Sequence, residues 1–87
     1  MVLMVVIKCF HTTWCGPCQK QEPILESVEE DNKDVSVERI DIDEDVVTAN
    51  EYNVRSIPTI IIEDEDGNIV DDFVGLTQQH EIEASLP

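Results

Sequence analysis

In the stretch Ile7-Lys8-Cys9-Phe10-His11-Thr12-Thr13-Trp14-Cys15-Gly16-Pro17-Cys18, an apolar run ends and two cysteines follow with two residues between them. Upstream, Met1–Phe10 is nearly continuous in apolar residues and rich in Val, the pattern of a strand buried on both faces of a partly parallel sheet. Downstream, Cys18 to about Asp31 reads as a helix. Ile24, Leu25 and Val28 share one face, while Glu22, Glu26, Glu29 and Glu30 lie mostly away from it. Pro23 falls inside that helix and is expected to kink it. His11–Pro17 is the loop between them.

Residues three apart in the first turn of a helix face the same way, so the sulfurs of Cys15 and Cys18 can meet. Cys15 lies at the helix start, where unpaired N–H groups and the macrodipole favour an anion. A thiolate is the reactive form of cysteine, so Cys15 is the expected nucleophile. Cys18, one turn inward, is expected to be shielded and to resolve the mixed disulfide. Pro17 presets φ for the first turn, and Gly16 leaves the approach to Cys15 open. Trp14 is expected to form a partly exposed wall of a substrate groove.

Further along, Asp34–Asp43 reads as a strand whose apolar phase slips at Glu38–Arg39, and Glu44–Asn53 as a short helix. Thr59–Glu63 is a compact β-branched run. A turn centred on Asp66-Gly67 leads from it into Ile69–Val74, which makes a hairpin. Leu76–Leu86 is expected to be a terminal helix with Thr77 as its N-cap. The order is β-α-β-α-β-β-α. It implies an α/β domain over residues 1–87, with a mixed four-stranded sheet whose first two strands are parallel.

The chain has 87 residues, with 5 Lys and Arg against 20 Asp and Glu, for a net charge of −15. No basic patch can be drawn from so few cations, which argues against binding nucleic acid or an anionic membrane. Disorder is countered by a 41 % hydrophobic content gathered in dense runs. Met1–Ile7 is too short to span a membrane, and it lacks the basic flank and cleavage site of a signal peptide. A reducing cytoplasm is therefore the expected compartment, where three cysteines point to redox or metal chemistry rather than a structural scaffold. Acidic residues spread along the chain, with Lys8, Lys20 and Lys33 the only lysines, lead to the expectation of a salt-rich, halophilic setting.

Trp14-Cys15-Gly16-Pro17-Cys18 resembles the active site of the thioredoxin family. Arg55-Ser56-Ile57-Pro58-Thr59 resembles that family's segment around a cis-proline, and Val74-Gly75 its glycine-bearing strand end. Pro23-Ile24-Leu25 matches the kinked part of its active-site helix. The resemblance runs from about Leu3 to Leu86, in a minimal form that lacks the usual first strand and helix. It implies a thioredoxin fold and dithiol–disulfide exchange through Cys15 and Cys18, with no cofactor beyond that pair. It also implies disulfide-containing protein substrates, a thioredoxin reductase or similar electron donor, and a monomer. Trp14, Ile57, Pro58, Val74 and Gly75 would line the substrate groove, with Pro58 cis.

Three positions depart from the family pattern. A buried Asp that helps move the proton of the resolving cysteine is replaced by Cys9, a Trp by His11, and a buried Lys by Arg39. Cys9 is expected to be an inert buried thiol, with a third redox thiol as the alternative. A thiol titrates near pH 8.5 and higher when buried, so it is a poor base at neutral pH, and resolution is expected to be slow or to use another group. His11 is either a loop residue without a role or a cation that lowers the Cys15 pKa. Two other functions fit the same residues: a non-catalytic binding subunit on this fold, and a zinc module using Cys9, His11, Cys15 and Cys18.

Overall fold

A computed structural model describes residues 4–87. The first three residues of the apolar run Met1–Phe10 lie outside it. The elements are β1 (Val5–His11), α1 (Gly16–Asp31), β2 (Val35–Asp41), α2 (Val46–Glu51), β3 (Thr59–Glu63), β4 (Ile69–Val74) and α3 (Gln79–Ala84). They form a four-stranded sheet in the order β2-β1-β3-β4. β1 pairs parallel with β2, while β3 runs antiparallel to both β1 and β4. This is the mixed sheet and element order read from the sequence.

Alternation along the strands divides the sheet into two faces. Val5, Ile7 and Cys9 of β1, Val35 and Val37 of β2, and Ile60 and Ile62 of β3 pack with Leu25 and Val28 of α1 and Ile82 of α3. That face carries the main core, and Cys9 is part of it. On the other face Phe10 lies against Tyr52, with ring centroids 5.5 Å apart. Beside them Lys8 Nζ donates to Glu63 Oε1 at 2.8 Å and to the Tyr52 hydroxyl at 2.7 Å, and the Tyr52 hydroxyl donates to Glu63 Oε2. Burial opposes both charges, yet these bonds outweigh it. They raise the Lys8 pKa and lower that of Glu63.

The expected slip in β2 is not a break in pairing. The register runs evenly from Val5↔Val35 to His11↔Asp41. Val35 and Val37 face α1, and Ile40 faces the other side, so the apolar residues change face along one regular strand. α1 runs unbroken for 16 residues through Pro23, although that residue supplies no N–H to the ladder. α2 is shorter than expected. The Asp45 carboxylate accepts from the Thr48 N–H at 3.1 Å at one end, and Asn53 at φ 56° turns the chain at the other.

Thr77 is not the N-cap of α3. It is buried, its N–H donates to Gln21 Oε1 at 2.9 Å, and its hydroxyl donates to the Gly75 carbonyl at 2.9 Å. With those groups committed, the N-cap moves one residue on, to Gln78, and the helix runs from Gln79. The Glu81 carboxylate accepts from the Gln78 N–H at 2.9 Å there.

Candidate active site

β1 carries the chain up through the middle of the sheet and releases it at His11, so Thr12–Cys15 form a short loop over the sheet's C-terminal end. Cys15 is the N-cap of α1, with extended backbone angles (φ −88°, ψ 115°). The Cys18 N–H donates to Cys15 Sγ at 3.2 Å. This sulfur thus takes the place that a Ser or Asp oxygen holds at an ordinary N-cap. A negative charge on it would gain from that donor and from the helix dipole. The Cys15 and Cys18 Cα atoms are 5.2 Å apart and the two sulfurs are bonded to each other, while Cys9 is a free, buried thiol.

The expected contrast in exposure is absent in this disulfide form. Cys15 is 5 % exposed and Cys18 7 %. What separates them is bonding, because only Cys15 Sγ accepts a helix N–H. Around the pair, Gly16 and Pro17 are exposed, and Trp14 stands out at 71 % exposure with its indole N–H donating to Asp43 Oδ2 at 3.0 Å.

The other residues expected to line a substrate groove are placed as follows. The Ile57–Pro58 peptide is cis, with Pro58 fully buried and Ile57 half-buried. Val74 and Leu76 are exposed on either side of Gly75. Gly75 has φ +93°, a region open to glycine but strained for side-chain-bearing residues, and its N–H donates to the Pro58 carbonyl at 2.8 Å. That bond ties the end of β4 to the start of β3.

Gln21 holds this corner against α1, and the sequence reading passed over it. Fully buried, it donates from Nε2 to the Thr77 carbonyl at 2.9 Å and accepts the Thr77 N–H in return. Its signal was a polar residue four and seven positions before Leu25 and Val28, on the face that packs into the core.

Cys9 lies beneath the dithiol on β1. Burial, reinforced by the nearby Glu22 carboxylate, pushes its thiol up to about 11, with Arg39 opposing. His11, at the end of β1, is half-buried and lines a cavity of about 300 Å³ together with Cys9, Thr12, Cys18 and Glu22. Cys15 is not among the cavity's lining residues. Arg39 pairs with Cys9 in the sheet register and lies between two carboxylates of α1, its Nε on Glu22 Oε1 and its Nη2 on Glu29 Oε1, both at 2.8 Å. Among the described residues no three His, Cys, Asp or Glu side chains converge to hold a metal ion, and Cys15 and Cys18 are bonded to each other.

A cysteine pair at a helix start above a mixed sheet, in a chain that also carries a cis-proline before β3, is the arrangement of a thiol-disulfide oxidoreductase. Comparison with known proteins narrows the class. The thioredoxin family model matches residues 3–87. A thioredoxin from Mycoplasmoides gallisepticum is 37 % identical over 81 residues, covering 93 % of this chain and 80 % of the relative. The thioredoxin of Bacillus subtilis is 40 % identical over 72 residues, covering 82 % of this chain and 68 % of that one. The solved structure of an N21Q mutant thioredoxin from Halobacterium salinarum superposes with a TM-score of 0.84 at 39 % identity, over 92 % of this chain and 69 % of its own. A malaria-parasite thioredoxin-2 shares the fold with a TM-score of 0.88 at 20 % identity, over 97 % and 82 %. The chain belongs to the thioredoxin family, has the thioredoxin fold, and is a disulfide oxidoreductase.

Proposed function

We propose that the protein reduces disulfides of other proteins through its Cys15-Gly16-Pro17-Cys18 dithiol. The observation that carries this reading is the N-cap sulfur of Cys15, which accepts the Cys18 N–H at 3.2 Å. In the reduced protein the same donor and the helix dipole favour a thiolate at Cys15. That thiolate attacks a substrate disulfide, one substrate sulfur leaves as a thiol, and a mixed disulfide remains. Cys18 then attacks Cys15 Sγ, releasing the second substrate thiol and restoring the bonded pair. Two electrons pass to the substrate, and a thioredoxin reductase or similar donor returns them. Trp14, Ile57, Pro58, Val74 and Gly75 form the groove in which an extended substrate segment pairs with the backbone at Ile57.

A monomer in a reducing cytoplasm suits this chemistry, and the net charge of −15 favours a salt-rich setting. The test is disulfide reduction of insulin, followed by turbidity, with Cys15→Ser and Cys18→Ser variants. Loss of turnover in both, with Cys18→Ser trapping a mixed disulfide on Cys15, is the expected result. Full biological activity of the double serine variant would show a binding subunit instead.

A further inference from the structure

Resolving a mixed disulfide requires Cys18 to give up a proton, because the thiolate is the attacking form. Nothing in the dithiol itself accepts that proton, since Cys15 Sγ is then tied to substrate. Acceptors must come from the cavity that Cys18 lines. Its titratable side chains are Cys9 and His11 from β1 and Glu22 from α1, with Arg39 of β2 and Glu29 of α1 charged beside them.

Cys9 does not serve, because burial holds its thiol protonated, pushed up to about 11. Glu22 is placed to serve. It lies four residues after Cys18 on the same face of α1 and lines the same cavity. Arg39 Nε holds its Oε1 at 2.8 Å, whereas His11 makes no ion pair among the described residues. A second observation concerns what joins the two. Thr12 lines this cavity and is 2 % exposed, and among the described residues its Oγ1 is the buried side-chain polar atom with no protein partner. A cavity of about 300 Å³ has room for water, and although most of its lining is apolar, the Thr12 hydroxyl and the Glu22 carboxylate are polar groups in it that can hold one.

We infer that Glu22 accepts the proton of Cys18 during resolution, through water ordered in this cavity by Thr12. The proton leaves Cys18 Sγ and passes along the water to the Glu22 carboxylate. The Cys18 thiolate attacks Cys15 Sγ, the Cys15–substrate bond breaks as the Cys15–Cys18 bond forms, and the departing substrate sulfur takes up a proton. Glu22, 42 % exposed in its side chain, then returns its proton to solvent. This rests on the dithiol mechanism proposed above.

An aromatic disulfide, dithiobis(nitrobenzoate), separates the two steps. Attack by Cys15 releases one thionitrobenzoate anion, and attack by Cys18 on the resulting mixed disulfide releases a second, so stopped-flow absorbance shows two phases. Glu22→Gln keeps an acceptor for Arg39 but removes the base. It is expected to leave the first phase unchanged and to slow the second about tenfold or more at neutral pH. The second phase should also become steeply pH-dependent, rising as solvent takes over the deprotonation, where the unaltered protein is nearly flat. Glu29→Gln, which removes only the other partner of Arg39, should leave both phases unchanged. A second phase in Glu22→Gln within twofold of the unaltered protein, with the same pH profile, overturns the inference. So does an equal slowing in Glu29→Gln, which would trace the effect to Arg39. Absence of a first phase in the unaltered protein would instead refute the oxidoreductase mechanism itself.

Discussion

Cys9 is a buried thiol whose proton links pH to stability. It is 3 % exposed and packed in the main core between β1 and α1. Its thiol pKa is raised from 9.0 to about 11, first by burial and then by Glu22. The folded chain therefore keeps this proton at pH values where the unfolded chain releases it. The resulting stabilisation is complete below pH 9 and is lost as pH rises through about 11. Urea unfolding at pH 8 and pH 11 should show a fall in stability in the unaltered protein that is smaller in Cys9→Ala by up to roughly 3 kcal/mol. Equal falls in the two proteins would show that Cys9 does not hold its proton more tightly when folded. The burial expected of Cys9 from the sequence is observed. The same burial makes Cys9 a poor proton acceptor at neutral pH, unlike the Glu22 carboxylate one helical turn beyond Cys18.

At the scale of elements, the site depends on how α1 is fastened to the loop after β4. The two Gln21–Thr77 bonds, each 2.9 Å, cross 56 positions of sequence and are buried. They fix Gly75 and its neighbours relative to the helix that carries the cysteines. Gln21→Ala would strand the Thr77 N–H and carbonyl without partners, at a cost of about 2–4 kcal/mol for two buried groups. The expected outcome is a lower melting temperature, together with a raised KM for protein disulfides and little change in the alkylation rate of Cys15. A KM that stays constant would mean that this fastening supports the fold alone. The same bonds account for the misplaced start of α3. A Thr before a polar, helix-forming stretch reads as an N-cap, but a buried Gln on another element outcompetes that use.

For the whole molecule, charge is the dominant variable. A net charge of −15 over 87 residues imposes self-repulsion that screening relieves. The Debye length falls from about 10 Å at 0.1 M salt to about 3 Å at 1 M. The melting temperature is therefore expected to rise by several degrees between low and molar KCl. A flat or falling curve would show that the acidic residues are not mutually destabilising. The ion pairs work in the opposite sense. Arg39 with Glu22 and Glu29 is partly exposed and weakens with salt, whereas Lys8 with Glu63, at 18 % and 8 % side-chain exposure, is largely shielded from it.

Local chemistry was enough to establish most of the architecture. Dense β-branched runs, one amphipathic helix, an Asp-Gly turn and a right-handed β-α-β start leave few alternatives to the mixed sheet that is observed. The dithiol was equally legible, because its chemistry is carried by neighbours within one helical turn. The groups that act across the fold were not. Glu22 reads as one acid among many on a solvated helix face until β1 brings Cys9 to the cavity it shares with Cys18 and β2 brings Arg39 against its carboxylate. Thr77 reads as a cap until Gln21 claims it, and the apolar slip in β2 reads as an irregularity until both faces of the sheet are seen to be covered. Periodicity and capping are properties of adjacent residues, so they can be read along the chain. Partners brought together across 17 positions, as in Arg39–Glu22, or 56, as in Gln21–Thr77, exist only once the strands and helices have packed.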